Sequence, residues 1–355
     1  MRWDVYCRVI DNLGDAGVCW RLVADLASRG EFVRLVIDHA GPLARIAPAG
    51  APGVEVVVWR DDIALHGDVD VVVEAFGCDP PPRVVERMAR RTRPPCWINL
   101  EYLSAEAYAG RSHRLPSPQL AGPGRGLTKW FFHPGFTPDS GGLLREPGLL
   151  AARAAFERDP WLRALGTPRA GDEQVSVLFS YAHPGIAQWV SALAARPTLL
   201  LVPQGPAQAL VRDALGAGLQ TGRLRAVLLD WMVQPQFDRL LWSADVSVVR
   251  GEDSLVRALW AGMPFVWQLY PQTEGVHRHK LQAFLERWRV DAGVALPVGV
   301  AECFAWWNAD AGPAGAVPQR PAAAAWREAV RAWREQLGAQ DDLTTRLIEF
   351  VAGKR

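Results

Sequence analysis

The sequence predicts an α/β protein made of two successive doubly wound domains, and three observations support this prediction. The chain has 355 residues, more than the roughly 250 to 300 that a single hydrophobic core usually holds. Hydrophobic residues make up 49% and charged residues 22%, which is typical of a globular protein. Short β-rich runs alternate with helical patterns in two separate series, which indicates two mainly parallel sheets covered by helices.

The strands of the first series are short and continuously apolar, which predicts burial on both faces. They are predicted at residues 3–9, 32–37, 54–58, 69–74 and 97–100, with a further strand near 130–132. Residues 104–126 contain Leu-Pro-Ser-Pro and Gly-Pro-Gly-Arg-Gly, so this segment is predicted to be a long surface loop.

A second series of strands defines the second domain. Its strands are predicted at residues 175–179, 198–202, 224–228, 246–249 and 265–267. Turn-forming residues are frequent between 145 and 172, so the boundary is expected there, with domains at 1–160 and 170–339. The tail from Ala322 has apolar residues at helical spacing, and its last part, 340–355, is predicted to pack back on the first domain.

The charge balance and the cysteines restrict the possible functions. Lys and Arg number 39 against 38 Asp and Glu, so the chain lacks the basic excess that nucleic-acid binding requires. The five cysteines have no metal-binding spacing and predict reduced core thiols: Cys7, Cys19, Cys78, Cys96 and Cys303. Without a signal-peptide pattern or an 18-residue apolar run, we expect a cytoplasmic protein with no membrane partner.

The histidines and tryptophans give no sign of a cofactor site. No histidine pattern is typical of a metal site, so no metal is predicted, and His277 and His279 are expected on a solvated helix face. Most of the 16 tryptophans, such as Trp242, Trp260 and Trp306, occupy core-like helical positions and are expected to be buried.

The loop after the first strand contains two carboxylates, Asp11 and Asp15, with Gly14 and Gly17. Ligands of open α/β sheets bind at this edge, but two carboxylates repel phosphate and the dinucleotide-binding glycine pattern is missing. The pair suits a cationic substrate, since carboxylates hold a planar guanidinium in fork geometry, or a general base. The alternative is that both residues only cap a turn and a helix.

A second candidate site follows the strand that ends near Val249. Arg250 and Gly251 precede Glu252, Asp253 and Ser254, and a helical run begins at residue 255. Backbone N–H groups at a helix start bind a diphosphate. The same acidic residues are equally compatible with a simple helix cap.

The predicted order of the strands brings several aromatic and amide side chains near this second loop. A flat ring stacks on a nucleobase, and an amide pairs with the polar edge of the base. The candidates are Phe179, Tyr181, Trp231, Gln234 and Tyr270.

Several blocks of the sequence together resemble the family of arginine rhamnosyltransferases that modify elongation factor P. The blocks extend in order from residue 8 to residue 272, and the Asp-x-x-x-Asp loop together with the Arg-x-Glu-Asp-Ser loop is far more specific than either loop alone. They are residues 8–22, 99–106, 115–118, 132–138, 250–254 and 265–272.

This resemblance implies a GT-B fold, with two Rossmann-like domains facing across a central cleft. It implies an inverting enzyme that moves L-rhamnose from dTDP-β-L-rhamnose to an arginine of elongation factor P, which activates the factor for rescue of ribosomes stalled at polyproline. The acceptor would bind the N-terminal domain and the nucleotide sugar the C-terminal domain, with no cofactor beyond the donor substrate.

Roles for individual residues follow from the same resemblance. Asp15 would be the general base or activate the guanidinium, Asp11 would position the acceptor arginine, and Glu252 would assist at the reacting centre. Asp253 and Ser254 would hold the diphosphate. The aromatic and amide candidates would contact thymidine or phosphates, with Trp231 standing at a Phe-like position and Arg250 either facing the leaving group or forming a structural ion pair.

The residues themselves leave other functions open. A GT-B-like epimerase or phosphorylase would use the same loops on a small molecule, and a non-catalytic module would use the carboxylates to recognise a basic partner. The sequence also leaves open which of Asp11 and Asp15 accepts the proton.

Overall fold

The computed structural model describes residues 1–10, 13–60, 62–63, 67, 69–271, 275–309 and 315–354. These residues form two compact units. The first contains Met1–Pro147 and Gly338–Arg355, and the second contains Gly148–Leu337.

The first unit is built on a seven-stranded sheet. Its strands are β1 (Arg2–Cys7), β2 (Phe32–Ile37), β3 (Val54–Val58), β4 (Val71–Ala75), β5 (Cys96–Leu100), β6 (Pro116–Pro118) and β7 (Thr128–Phe132). The strand order is β3-β2-β1-β4-β5-β7-β6, and all neighbours are parallel except β6 and β7. The chain moves outward from β1 in both directions, so β1 and β4 enclose a topological switch point.

The helices of the first unit cover this sheet. They are α1 (Gly14–Ser28), α2 (Leu43–Ile46), α3 (Pro82–Ala89), α4 (Ala107–Ser112) and, at the end of the chain, α14 (Leu343–Ala352). Residues Leu347 and Phe350 of α14 belong to the same hydrophobic core as β1 and α1. The Arg29 guanidinium donates to Asp25 at 3.0 Å and to Asp342, the N-cap of α14, at 2.8 Å. This ion pair holds α14 against α1.

The second unit contains a six-stranded sheet. Its strands are β8 (Gln174–Leu178), β9 (Thr198–Val202), β10 (Gln220–Thr221), β11 (Leu224–Leu228), β12 (Val246–Arg250) and β13 (Phe265–Gln268). The order is β10-β11-β9-β8-β12-β13, and only β10 is antiparallel to its neighbour. The switch point of this sheet lies between β8 and β12.

Nine helices complete the described part of the second unit. They are α5 (Leu149–Ala154), α6 (Arg158–Ala164), α7 (Ile186–Leu193), α8 (Pro206–Leu215), α9 (Gln234–Ser243), α10 (Gly251–Ala261), α11 (Val276–Asp291), α12 (Val300–Trp307) and α13 (Ala323–Gly338). A buried ion pair joins α9 to α10, since Arg257 donates to both carboxylate oxygens of Asp238 at 2.9 and 2.7 Å. Both helices begin at the carboxyl edge of the sheet, so this pair fixes their separation.

The domain limits differ from the sequence prediction. Helices α5 and α6 belong to the second unit, whereas the first domain was predicted to continue to residue 160. The reason is side-chain pairing: Arg158 forms an ion pair with Asp245 at 2.9 Å, and Arg153 donates to the carbonyl of Ala261 at 2.9 Å.

Three local predictions were wrong. Strand β3 is at the sheet edge, so Val56 and Val58 are exposed rather than buried on both faces. The predicted loop 104–126 contains α4 and β6, because an edge strand tolerates prolines. His277 is buried, while His279 is exposed as expected.

The predictions for the tryptophans, the tail and the cysteines are confirmed in the described residues. Trp242, Trp260 and Trp306 are buried, and the tail forms α13 and α14. All five cysteines are free thiols, and burial raises the pKa of Cys96 and of Cys303 to about 11. No helix among the described residues is long and apolar enough to cross a membrane.

Candidate functional site

The carboxylate of Asp15 lies at the switch point of the first unit. Asp15 is the second residue of α1 and only 3% exposed. Its Oδ2 accepts the backbone N–H of Ile10 at 2.8 Å, and its Oδ1 accepts the hydroxyl of Tyr102 at 3.4 Å. The hydrogen bond from Ile10 therefore joins the start of α1 to the chain that precedes it. Any effect of the carboxylate charge on the helix start comes in addition.

Tyr102 connects this carboxylate to the ends of two other strands. Its ring stacks on Phe76, with centroids 4.3 Å apart and planes at 11°. Phe76 follows β4 and has a left-handed backbone with φ of 58°, which is rare for a residue with a side chain. Its N–H donates to the carbonyl of Leu100 at 2.7 Å. The strained turn thus presents a flat ring directly beside the site.

A buried amide supports the same turn from β5. Asn99 is 4% exposed, and its Oδ1 accepts the N–H of Gly77 at 3.1 Å. Its Nδ2 donates to Glu101 at 2.7 Å. Gly77 also has a positive φ, of 66°, a conformation that costs glycine little. Asn99 therefore fixes two loops at the carboxyl edge of the sheet.

Burial lowers the pKa of two histidines near this edge. Burial, assisted by the charge of Arg114, lowers the pKa of His113 to about 3. Burial also lowers the pKa of His133, while the nearby Glu101 carboxylate opposes that shift. The Nδ1 of His113 accepts the N–H of His133 at 3.2 Å, so the neutral ring carries its proton on Nε2.

In the second unit, the end of β12 places a guanidinium between aromatic rings. The Cζ of Arg250 lies 4.8 Å from the ring centroid of Phe179 and 4.7 Å from that of Tyr181. Both rings follow β8, across the switch point from Arg250. Cation–π attraction orients the guanidinium, which is the side chain best suited to a phosphate.

Tyr181 is itself held by two neighbours from β13. Its N–H donates to Oε1 of Gln268 at 2.8 Å, and Gln268 is 3% exposed. Its ring meets that of Tyr270 edge to face, with centroids 5.2 Å apart. Tyr270 is 62% exposed, so the cluster presents an open aromatic surface. The structure thus brings four predicted residues together: Phe179, Tyr181, Arg250 and Tyr270.

The acidic segment after Arg250 is the first turn of α10, which begins at Gly251 rather than at residue 255. Gly251 has a φ of 69°, which a residue with a side chain rarely adopts. Its carbonyl accepts the indole N–H of Trp267 at 3.0 Å. The hydroxyl of Ser254 donates to the carbonyl of Arg250, so this hydroxyl serves the helix turn itself. Glu252 and Asp253 are half-buried in the same turn.

The remaining predicted residues lie at the same edge or outside the described structure. Trp231 is 40% exposed and Gln234, the first residue of α9, is buried; both follow β11, beyond β9 from the cluster. Asp11 lies outside the described residues. Sequence reasoning gave no role to Phe76, Asn99, Tyr102, Trp267 or Gln268, although all of these except Phe76 lie in blocks that carried the resemblance.

The described residues contain no group of three or more His, Cys, Asp and Glu side chains placed to hold a metal ion. A cavity of about 340 Å³ lies at the amino-terminal ends of β1, β2 and β3 and is lined by the paired Asp4 and Arg34. This cavity is at the opposite end of the strands from Asp15, so it is not part of the candidate site.

Both units are Rossmann-like, and the folding pattern is that of the GT-B glycosyltransferases. A solved structure concerning EarP-mediated arginine glycosylation of translation elongation factor EF-P is 30% identical, with a TM-score of 0.64, and the match covers 100% of this chain and 99% of that one. MurG of Acinetobacter baumannii is 12% identical with a TM-score of 0.52, covers 99% of both chains and supports the fold alone.

The chain belongs to the EarP family, described as the elongation factor P (EF-P) rhamnosyltransferases, whose sequence model matches residues 3–352. It is 42% identical to the protein-arginine rhamnosyltransferase of Pseudomonas aeruginosa, over 99% of this chain and 98% of that relative. It is 40% identical to the enzyme of the same name from Pseudomonas putida, over 98% of each. The predicted resemblance is therefore confirmed over nearly the whole chain.

Proposed function

We propose that this protein is a cytoplasmic enzyme that transfers L-rhamnose from dTDP-β-L-rhamnose to one arginine of elongation factor P, with inversion at the anomeric carbon. Membership of the EarP family supports the reaction class and the acceptor. The observation that carries the mechanism is the buried Asp15 carboxylate at the switch point of the first unit.

The acceptor arginine is a difficult nucleophile. A guanidinium has a pKa above about 12, and its nitrogen lone pairs are delocalised. In our proposal Asp15 hydrogen-bonds the attacking nitrogen and accepts one proton as the bond to the sugar forms.

The reaction exchanges one bond for another. The guanidinium nitrogen attacks the anomeric carbon from the face opposite the diphosphate, and the bond from that carbon to the diphosphate oxygen breaks. Asp15 receives the proton, dTDP leaves with the electron pair, and the product guanidinium keeps its positive charge. Asp11 is proposed to position the acceptor, and Glu252 to assist at the reacting centre.

The leaving group requires positive potential in the second unit. Arg250, held by Phe179 and Tyr181, and the N-terminus of α10 provide charge and backbone donors for the diphosphate. In this proposal Asp253 and Ser254 contribute through their backbone N–H groups, because the Ser254 hydroxyl is engaged with Arg250. Trp231, Gln234 and Tyr270 are proposed to contact the thymidine.

The test is incubation of the purified protein with dTDP-β-L-rhamnose and elongation factor P from the same organism, followed by intact-mass analysis. We expect the gain of one deoxyhexosyl group, mapped by peptide fragmentation to a single arginine. The anomeric configuration of the product, determined by NMR, tests inversion. An unmodified factor alongside turnover of the free nucleotide sugar would instead indicate a small-molecule enzyme.

A further inference from the structure

We propose that two buried amides, Asn99 in the first unit and Gln268 in the second, are positioning residues. Each holds in place a loop at the binding site of one of the two substrates. The inference rests on the proposed function, since it assigns the acceptor to the first unit and the donor to the second. Neither residue is expected to touch the reacting atoms.

Gln268 acts on the donor loop from the end of β13. In the parallel register it is the partner of Arg250, so its backbone lies beside the end of β12. Its side chain reaches past β12 to accept the N–H of Tyr181 at 2.8 Å. Strand β12 separates β13 from β8, so this hydrogen bond connects the two sides of the switch point.

The position of Tyr181 in turn determines where the Arg250 guanidinium lies. The ring of Tyr181 is 4.7 Å from the Arg250 Cζ and also meets the ring of Tyr270 edge to face. A long arginine side chain loses rotamer entropy when it is ordered, so a preset ring lowers the cost of ordering it on a phosphate. Loss of the Gln268 oxygen should therefore weaken donor binding.

Asn99 has the corresponding place on the acceptor side. It uses both ends of its amide, accepting from Gly77 at 3.1 Å and donating to Glu101 at 2.7 Å. The turn that it holds contains Phe76 in a left-handed conformation, which persists only when its surroundings enforce it. Phe76 stacks on Tyr102, and Tyr102 donates to Asp15. Loosening this turn should disturb the acceptor site.

The two amides are matched controls for each other. Both are almost fully buried, both accept a loop N–H, and each acts within its own unit. If the amides had only a structural role, variants of both would lose a similar amount of stability, and neither variant would affect the Michaelis constant of one substrate more than that of the other. A positioning role predicts that each variant affects a different Michaelis constant.

The experiment compares full-length Gln268→Met and Asn99→Leu with the wild type. We expect Gln268→Met to raise the donor KM and the Kd of dTDP about tenfold with the acceptor KM unchanged, since one hydrogen bond is lost. Asn99→Leu should raise the KM for elongation factor P about tenfold and leave dTDP binding unchanged. Equal changes in both constants for both variants would overturn the proposal.

Hydrogen exchange of the Tyr181 and Gly77 amides provides a second measurement that does not depend on activity. Exchange should be slow in the wild type and faster in the matching variant. If Gln268→Met fails to fold, Gln268→Glu keeps an acceptor oxygen and should retain slow exchange of the Tyr181 amide. If Asn99→Leu fails to fold, the double variant Asn99→Asp with Glu101→Gln keeps both the acceptor oxygen and the hydrogen bond between the two side chains, and should retain slow exchange of the Gly77 amide. Fast exchange in either variant contradicts the proposal. A wild type that transfers no rhamnose refutes the proposed function instead, while the exchange data still test the amides.

Discussion

The two candidate substrate edges have the same architecture but opposite chemistry. Each is the carboxyl edge of a parallel sheet at its switch point, where helices begin and ligands bind. The first unit presents the buried carboxylate of Asp15, held by Ile10 and Tyr102. The second presents the guanidinium of Arg250 between two aromatic rings.

In the proposed function, the fold supplies the place for each substrate and the side chains supply the selectivity. A carboxylate suits a cationic acceptor, whereas a guanidinium beside a helix start suits an anionic donor. If the two edges serve different substrates, changes at one edge should leave binding at the other intact. The following predictions test that separation.

The largest effect is expected for Asp15→Asn. Loss of the proton acceptor should lower kcat about 100- to 10,000-fold, the usual range for general acid–base groups. The Kd of dTDP should stay unchanged in calorimetry, because the carboxylate serves the other substrate. Asp38→Asn is the control, since Asp38 also accepts a loop N–H, that of Val9 at 2.9 Å, and its substitution should leave kcat within about twofold. Full transfer by Asp15→Asn contradicts the assigned role.

Arg250→Lys should give the next largest effect, on the donor side. Lysine keeps the charge but loses the planar stack and the fork of donors, so the Kd of dTDP should rise roughly tenfold. The acceptor KM should not change. Arg225→Lys, on β11 and paired with Glu173 at 2.7 Å, is the control and should bind dTDP normally. Equal affinity for dTDP in both variants means that Arg250 is only structural.

Tyr102→Phe tests the hydrogen bond from the Tyr102 hydroxyl to Asp15 at the acceptor edge. The ring should remain stacked on Phe76, while Asp15 loses its hydroxyl donor, so we expect kcat to fall about two- to tenfold. Tyr108→Phe, at the ring beside His133, should leave kcat unchanged. An unaltered kcat in Tyr102→Phe argues against the contact with Asp15.

The smallest effect concerns stability rather than catalysis. His113 has its pKa lowered to about 3, so below its ordinary pKa of 6.5 the unfolded chain binds a proton that the folded chain does not. Its contribution to stability is present above pH 6.5 and is lost as the pH falls from about 6.5 towards about 3. His113→Asn, which keeps an acceptor for the His133 N–H, should unfold at a lower pH. Urea titrations across this pH range measure the free energy of unfolding of the wild type and the variant. Parallel curves of that free energy against pH would contradict the prediction.

Strand positions were predictable because a buried parallel strand needs a continuous apolar run, as at Thr198–Val202. Predictions failed where position in the sheet overrides composition. Strand β3 has the same apolar character but lies at the edge, and Pro116 and Pro118 form part of a strand because their sheet position tolerates proline. Likewise, His277 is buried by packing that its local sequence does not reveal.

Strand periodicity and motif order were enough to predict the two α/β halves, the family, and the loops that carry Asp15 and Arg250, because both are local properties of the chain. Which side chains hold those loops became visible in the folded structure alone. Asn99 reaches Gly77 and Gln268 reaches Tyr181 across 22 and 87 positions in the chain. Such partners meet because parallel strands bring distant carboxyl ends to one edge, and no local pattern specifies that meeting.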